Sequence, residues 1–272
     1  MYNKTLFLLL QTIILQSISN FPYAGALVGY NIRSVNDNEV PYVVCIAKYS
    51  PRNHLTNSII CSGALITPNL ILTAEHCFDN LQDLALEVLF RYGQPHNYPI
   101  YYPIWWISYD QWTAARNLPI TNLNNDIALL KIFGLEHQII PGVLSDITPI
   151  NVFYGLNFQL VGCGRTNDDE HPLTVQTANA RVLNLNECNH IVSYVARSHL
   201  YIPENYICTR NSPYIQTSRG DSGAPVIFSD AIIGINLGVS PPFGNNFHPE
   251  KVNIHIYAYL YRDFLNNVIA DE

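Results

Sequence analysis

An all-β protein, either one large domain or two smaller ones, is what the sequence predicts, and three observations carry that expectation. From Val40 to Ile66, short apolar runs alternate with turn residues such as Ser50-Pro51-Arg52-Asn53, the pattern of strands joined by tight connections. Apolar residues make up 48% of the 272 and charged residues only 13%. That is enough apolar material for a sizeable core and too little charge for a disordered chain. Near the C-terminal end, Tyr259, Leu260, Phe264, Leu265 and Val268 fall at helical spacing within Ala258–Ala270, which adds one short helix packed on the strands.

Taken in order, the chain starts with Lys4 and an apolar run from Leu6 to Leu15. The run is too short to cross a bilayer and has the length of a secretion-signal core. Residues 1–26 are therefore expected to be a signal peptide with a short propeptide, leaving a soluble extracellular protein outside any membrane. Two cleavage points compete, Ser17-Ile18-Ser19 and Ala24-Gly25-Ala26, and the second would leave Leu27 as the new N-terminus. Cys61–Ile66 and Leu70–Ala74 read as two strands leading to His76. Tyr98 to Trp112 holds Tyr98, Tyr101, Tyr102, Trp105, Trp106, Tyr109 and Trp112, expected to be core and edge-strand packing rather than the wall of a cleft. Phe133 to Tyr154, with Pro141, Gly142 and Pro149, reads as a connection between two halves, and Leu160–Arg165 opens the second.

The net charge of −7, with no basic stripe, argues against a nucleic-acid partner. His54, His96, His171 and His248 lack zinc-ligand spacing, and no phosphate loop or dinucleotide motif is present. Asp79, Asp83 and Glu87 read as a solvated acidic face rather than a calcium site. Neither a metal nor another cofactor is expected.

The chemistry concentrates in Arg219-Gly220-Asp221-Ser222-Gly223-Ala224-Pro225. A serine between two glycines suits a tight turn where backbone must approach a ligand. Its hydroxyl is a weak nucleophile until a base takes its proton and a third group orients that base. His76, in Thr73-Ala74-Glu75-His76-Cys77, and Asp126, in Asn124-Asn125-Asp126-Ile127-Ala128, can fill those roles. The order His, Asp, Ser, with gaps of roughly fifty and one hundred residues, is that of the chymotrypsin-type arrangement. From about Leu27 onward the chain thus resembles a chymotrypsin-fold, trypsin-like serine protease of the S1 family.

The resemblance implies two six-stranded antiparallel Greek-key barrels, one over about 27–140 and one over about 141–258, with a C-terminal helix over about 259–270. It implies hydrolysis of polypeptides through an acyl-enzyme, with His76 as general base, Asp126 fixing the imidazole and Ser222 as nucleophile. The backbone N–H groups of Gly220 and Ser222 would form the oxyanion hole. Leu27-Val28-Gly29-Tyr30 is similar to the start of the family's mature enzymes, whose freed ammonium pairs with the residue corresponding to Asp221. Cys61–Cys77 and Cys188–Cys208 match family disulfides. Cys45 and Cys163 are left over, and six cysteines in a secreted chain suggest three bridges, so Cys45–Cys163 is expected as the third. A monomer is expected, with a polypeptide substrate and a protein protease inhibitor as the partners the family suggests.

Departures from the family bear on substrate choice. Gln216, six positions before Ser222, stands where trypsins carry Asp, so a preference for Arg or Lys at the residue before the cut (P1) lacks its usual basis. Ser218 replaces a pocket cysteine. Asn236-Leu237-Gly238 replaces Ser-Trp-Gly, Lys251 enters the pocket region, and Leu123 corresponds to a position lining the neighbouring subsite. A neutral apolar or aromatic P1 is the first expectation, and an acidic P1 attracted by Arg219 or Lys251 the second. Glu75 replaces a usual Ala and is expected to bring a second carboxylate near Asp126. The rival reading is a protease homologue that keeps the fold but serves as a binding or cofactor protein.

Overall fold

The computed structural model describes residues 27–36, 38–49, 59–79, 86–90, 99–119, 124–133, 139–166, 172, 174–242 and 248–272. The expected signal segment, Leu123 and Asp83 lie outside these residues. Among the described residues, no helix is long and apolar enough to cross a membrane.

Two short strands come first, β1 (Val28–Gly29) and β2 (Arg33–Ser34). Seven follow: β3 (Val43–Lys48), β4 (Ile59–Leu65), β5 (Leu70–Thr73), β6 (Leu86–Leu89), β7 (Ile100–Tyr101), β8 (Pro103–Ser108) and β9 (Ala128–Ile132). These seven form one antiparallel sheet in the order β7-β6-β3-β4-β5-β9-β8. The sheet curls until β6 and β8 come into contact. β3 and β5 are buried almost throughout, and the β-branched and leucine side chains of β3, β4, β5 and β9 fill the interior. Glu87 is also buried, at 1% exposure within β6, so the acidic face expected at Asp79, Asp83 and Glu87 does not include it.

The second half contains β10 (Val143–Leu144), β11 (Asn157–Gly162), β12 (Gln176–Leu183), β13 (Tyr206–Arg210), β14 (Ile215–Gln216), β15 (Pro225–Phe228), β16 (Ala231–Ser240) and β17 (Val252–Tyr257). Six of them pair in a closed ring, β16-β15-β11-β12-β13-β17 and back to β16. Closure leaves these six with no free barrel edge, the usual remedy for unpaired backbone groups. β10 adds to β16 in parallel. The fold is thus mostly β, with two barrel-like sheets. The first sheet has seven strands rather than six, because the two-residue β7 extends its edge.

The start of the chain crosses over. β1 pairs with β14 in a separate two-stranded sheet and β2 adds to β12 of the second barrel, so the opening segment is hydrogen-bonded to strands of the second half.

Among the described residues, three α-helices accompany the sheets. α1 (Tyr109–Ala115) starts at a capping box in which Ser108 Oγ accepts from Gln111 N and Gln111 Oε1 accepts from Ser108 N. That arrangement satisfies N–H groups a helix start otherwise leaves orphaned. α2 (Leu185–Ala196) is capped by Asn184, whose side chain accepts from Glu187 N at 2.8 Å. α3 (Arg262–Ala270) buries Phe264, Leu265 and Val268, each worth roughly 1.5–3 kcal/mol. It starts three residues later than the expected 259, because Ala258–Tyr261 forms a tighter 3-10 turn. Phe264 packs against Tyr109 and Trp112, on the first barrel. Tyr98 lies outside the described residues; of the other aromatics in that stretch, Tyr101 and Trp112 are buried, Trp105, Trp106 and Tyr109 pack against the core, and Tyr102 is exposed, with Trp106 stacked on Phe78 at 4.5 Å.

Three disulfides hold the frame. Cys61–Cys77 closes the turn after β5, Cys188–Cys208 ties α2 to β13, and Cys45–Cys163 joins β3 of the first barrel to the end of β11 in the second.

Candidate active site

β5 ends at Thr73, and the 3-10 turn Glu75–Phe78 carries His76 out of the sheet. The turn is pinned by the Cys61–Cys77 bridge. Asp126 lies just before β9, which pairs with β5 along Leu70–Thr73, and this register brings the two side chains together. His76 Nδ1 and Asp126 Oδ2 lie 2.6 Å apart, and His76 N donates to Asp126 Oδ1 at 2.9 Å. Two bonds to one carboxylate fix the ring's position and leave Nε2 on the far side.

The backbone flanking Asp126 is itself braced. Asn125 Nδ2 donates to Asp110 Oδ1 at 2.8 Å, Tyr261 OH donates to Asn125 Oδ1 at 3.1 Å, and Tyr206 OH donates to the Asn124 carbonyl at 2.9 Å. Burial lowers the His76 pKa, but the hydrogen bond and charge of Asp126, with Asp79 beyond, outweigh it and leave the group above the usual 6.5. Glu75 is pushed up by burial, only partly offset by a Ser108 hydrogen bond, and Asp110, Asp126 and Asp79 add to the rise. The second carboxylate thus lies close enough to Asp126 to feel its charge.

Ser222 comes from the turn between β14 and β15. Gly220 and Gly223 on either side have φ of 97° and 81°, a region L side chains rarely adopt. A Cβ on Gly223 would meet Thr73 Oγ1 at 2.1 Å, so this turn is pressed against β5 and only glycine fits. Ser222 O accepts from Ser62 N at 2.8 Å, and Cys77 Sγ lies 3.9 Å from the same oxygen. The nucleophile candidate therefore sits against the turn that carries His76. Its hydroxyl donates to Leu237 O at 3.3 Å, and no hydrogen bond joins it to the imidazole.

Asp221 is fully buried. Its Oδ1 accepts from Gly164 N at 2.9 Å and its Oδ2 from Ser218 N at 2.8 Å. Burial raises its pKa well above 3.8 despite those two bonds. Among the described residues no cation pairs with it. Leu27 is also fully buried, in the cluster with Phe153, Phe158 and Ile215, and Val28 pairs with Gln216 through β1–β14.

The surroundings of Gln216 are buried and polar. Gln216 is fully buried, and its Nε2 donates to the carbonyls of His248 at 2.5 Å and Lys251 at 3.4 Å. Asn253 Oδ1 accepts from Thr217 N at 2.9 Å and Asn253 Nδ2 donates to Ile215 O at 3.0 Å. His255 meets Thr209 Oγ1 through Nε2 at 2.9 Å, and burial pushes its pKa down to about 3. Gln216 Oε1, Thr217 Oγ1, Asn236 Oδ1 and His255 Nδ1 are buried with no hydrogen-bond partner among the described residues. Gly238 faces open space, Leu237 is half-buried and Arg219 is exposed. Lys251 is buried, which lowers its ammonium pKa. Beyond Gln216 this polar cluster carries no sequence signature, since Thr209 lies on β13 and Asn253 and His255 on β17, both remote from Gln216 in the chain.

Cys61, His76 and Cys77 cluster tightly enough to hold a metal, but both sulfurs are consumed in the disulfide between them.

Two barrel-like sheets meeting at a His-Asp pair and a glycine-flanked serine define a class, and the family comparison agrees with it. The Trypsin family model matches residues 30–265, and the chain belongs to that family. It is 25% identical over 267 residues to mast cell protease 2 of Meriones unguiculatus, covering 91% of this chain and 92% of that protein. It is 26% identical to a chymase of Rattus norvegicus, covering 85% and 86%. Protein masquerade of Drosophila melanogaster shares 25% identity over 64% of this chain and 17% of its own length. Among solved structures, mouse neuropsin, a serine protease, superposes with a TM-score of 0.67 at 20% identity, covering 88% of this chain and 99% of that one.

Proposed function

We propose that the protein is a secreted serine endopeptidase. The observation that carries this reading is the doubly hydrogen-bonded His76–Asp126 pair set against the turn that presents Ser222. His76 takes the Ser222 proton as Oγ attacks the scissile carbonyl, and the tetrahedral oxyanion is held by the N–H groups of Gly220 and Ser222. The C–N bond then breaks, the imidazolium gives its proton to the leaving amine, and water attacks the acyl-enzyme by the same route in reverse. Each oxyanion donor of this kind is typically worth roughly 3 kcal/mol to the transition state.

Secretion is supported by the apolar run at Leu6–Leu15 and by three disulfides, which persist in oxidising compartments. A freed ammonium at Leu27 pairs with Asp221 and orders the turn. Gln216 uses its amide to hold backbone carbonyls, so the floor offers a basic P1 side chain no carboxylate at that position. Arg219, Leu237, Gly238, Lys251 and Leu123 are proposed to border the substrate, a polypeptide that an inhibitor protein would mimic. The protein acts as a monomer.

One observation favours a second reading, a protease homologue that binds without cutting: the Ser222 hydroxyl bonds to Leu237 O rather than to His76. Labelling secreted protein with a fluorophosphonate decides between them. The enzyme reading expects label on Ser222 that is lost in Ser222→Ala. Folded, N-terminally processed protein that stays unlabelled selects the binding reading. A cut profile on a peptide mixture dominated by Arg and Lys would overturn the P1 assignment.

A further inference from the structure

Ser62 is a fully buried residue of β4 whose three polar groups converge on the candidate site. Its hydroxyl donates to Gly220 O at 2.7 Å and accepts from Cys163 N at 3.1 Å. Its own N–H donates to Ser222 O at 2.8 Å, and its carbonyl accepts from Thr73 Oγ1 at 2.8 Å. One residue therefore grips the carbonyls at both ends of Gly220-Asp221-Ser222, the stretch holding the nucleophile and both oxyanion donors. The grip is tied into a closed circuit. Ser62 is the cross-strand partner of Cys45, Cys45 is bridged to Cys163, and Cys163 N returns to the Ser62 hydroxyl.

We infer that Ser62 is a positioning residue for the oxyanion hole. Its hydroxyl fixes the plane of the Gly220–Asp221 peptide and thereby the direction of the neighbouring donors. Gly220 needs such a fixture. With φ of 97° and no side chain, it permits alternative peptide orientations at little cost. Its carbonyl accepts from the Ser62 hydroxyl, while the Asp221 N–H on the other side of that peptide donates to Ser218 O at 3.1 Å. Both ends of the peptide are then held. Oxyanion stabilisation depends on donors already aimed at the developing charge, so a loosened Gly220 peptide costs rate rather than binding.

The inference rests on the protease reading, and the experiment separates the two. Fluorophosphonate labelling of Ser222 is followed against probe concentration in secreted parent, Ser62→Ala and Ser62→Thr proteins, with folding checked by circular dichroism. The expected result is a limiting rate about 10- to 100-fold lower in Ser62→Ala, below the loss seen when a donor is removed outright. The half-saturating concentration should stay within about threefold, and Ser62→Thr, which keeps the hydroxyl, should restore the rate. A merely structural role would lower the melting temperature and leave the limiting rate of the folded fraction unchanged. Ser62→Ala labelling at the parent rate, or Ser62→Thr as slow as Ser62→Ala, overturns the inference alone. A folded parent that is never labelled overturns the protease reading and this inference with it. Should Ser62→Ala fail to fold, Ser62→Gly is read in its place with the same outcomes.

Discussion

His76 carries the clearest pH signature in the molecule. Its pKa lies above 6.5 in the folded chain because Asp126 stabilises the imidazolium more than burial opposes it. A group raised in this way stabilises the fold below its unfolded pKa, and that contribution fades as pH rises through the folded value. Catalysis runs the other way, since a general base must be neutral. The Ser222 labelling rate should therefore rise with pH along a limb centred above 6.5. Asp126→Asn should move that limb downward and lower the rate by about 10⁴, a result read from labelling at a series of pH values. His76 and Asp126 were legible because one known arrangement of this chemistry has a recognisable order and spacing along the chain. Ser62 was not: a lone serine between a cysteine and a glycine in a strand has no signature until the Gly220 carbonyl is seen above it.

At the scale of elements, the Cys45–Cys163 bridge and β14 matter most. The bridge spans 118 residues of sequence and joins one barrel to the other, with both cysteines fully buried. Closing so long a loop restricts the unfolded chain, an effect of about 2–4 kcal/mol in typical cases. The Cys45→Ala/Cys163→Ala double variant should lose that much stability in urea denaturation. Because the bridge also anchors the Ser62 circuit, labelling should slow in the fraction that remains folded. Strand existence could be read from short apolar runs between turn residues. Strand partnership could not, because a two-residue element such as β1 or β2 carries no period, and nothing in Val28-Gly29 names Ile215-Gln216 as its mate. The polar cluster beside Gln216 was half legible for a similar reason. Gln216 was visible from its distance to Ser222, whereas Asn253, which bonds to Ile215 O and Thr217 N on either side of it, and the Thr209 and His255 side chains linked to one another, are brought together only through the β13–β17 register.

For the whole molecule, the decisive group is the buried carboxyl of Asp221, which has no cation beside it among the described residues. Burial holds its carboxyl well above 3.8, so between the unfolded and folded pKa values the native state keeps a proton that the unfolded state has lost. Stability then falls as pH rises through that window. A chain retaining residues 1–26 should show a melting temperature that declines as Asp221 ionises. A chain beginning at Leu27, whose ammonium offers the missing partner, should hold its melting temperature to neutral pH. Equal profiles for the two forms would remove Leu27 from the role proposed for it. The two-barrel frame was legible through the spacing of a few motif residues more than through hydropathy, which fixed only the all-β class.

The first and last described segments change sides. Val28–Ser34 pairs with β14 and β12 of the later half, while α3 lays Phe264 against Tyr109 and Trp112 of the earlier one, and Lys131 grips Glu272. Each half thus borrows a piece from beyond the connecting segment. Severing the gene there would produce two fragments, each missing a part made by the other, and their repair would require mixing. Neither half is finished until Arg262–Ala270 has been made and can dock on Tyr109 and Trp112.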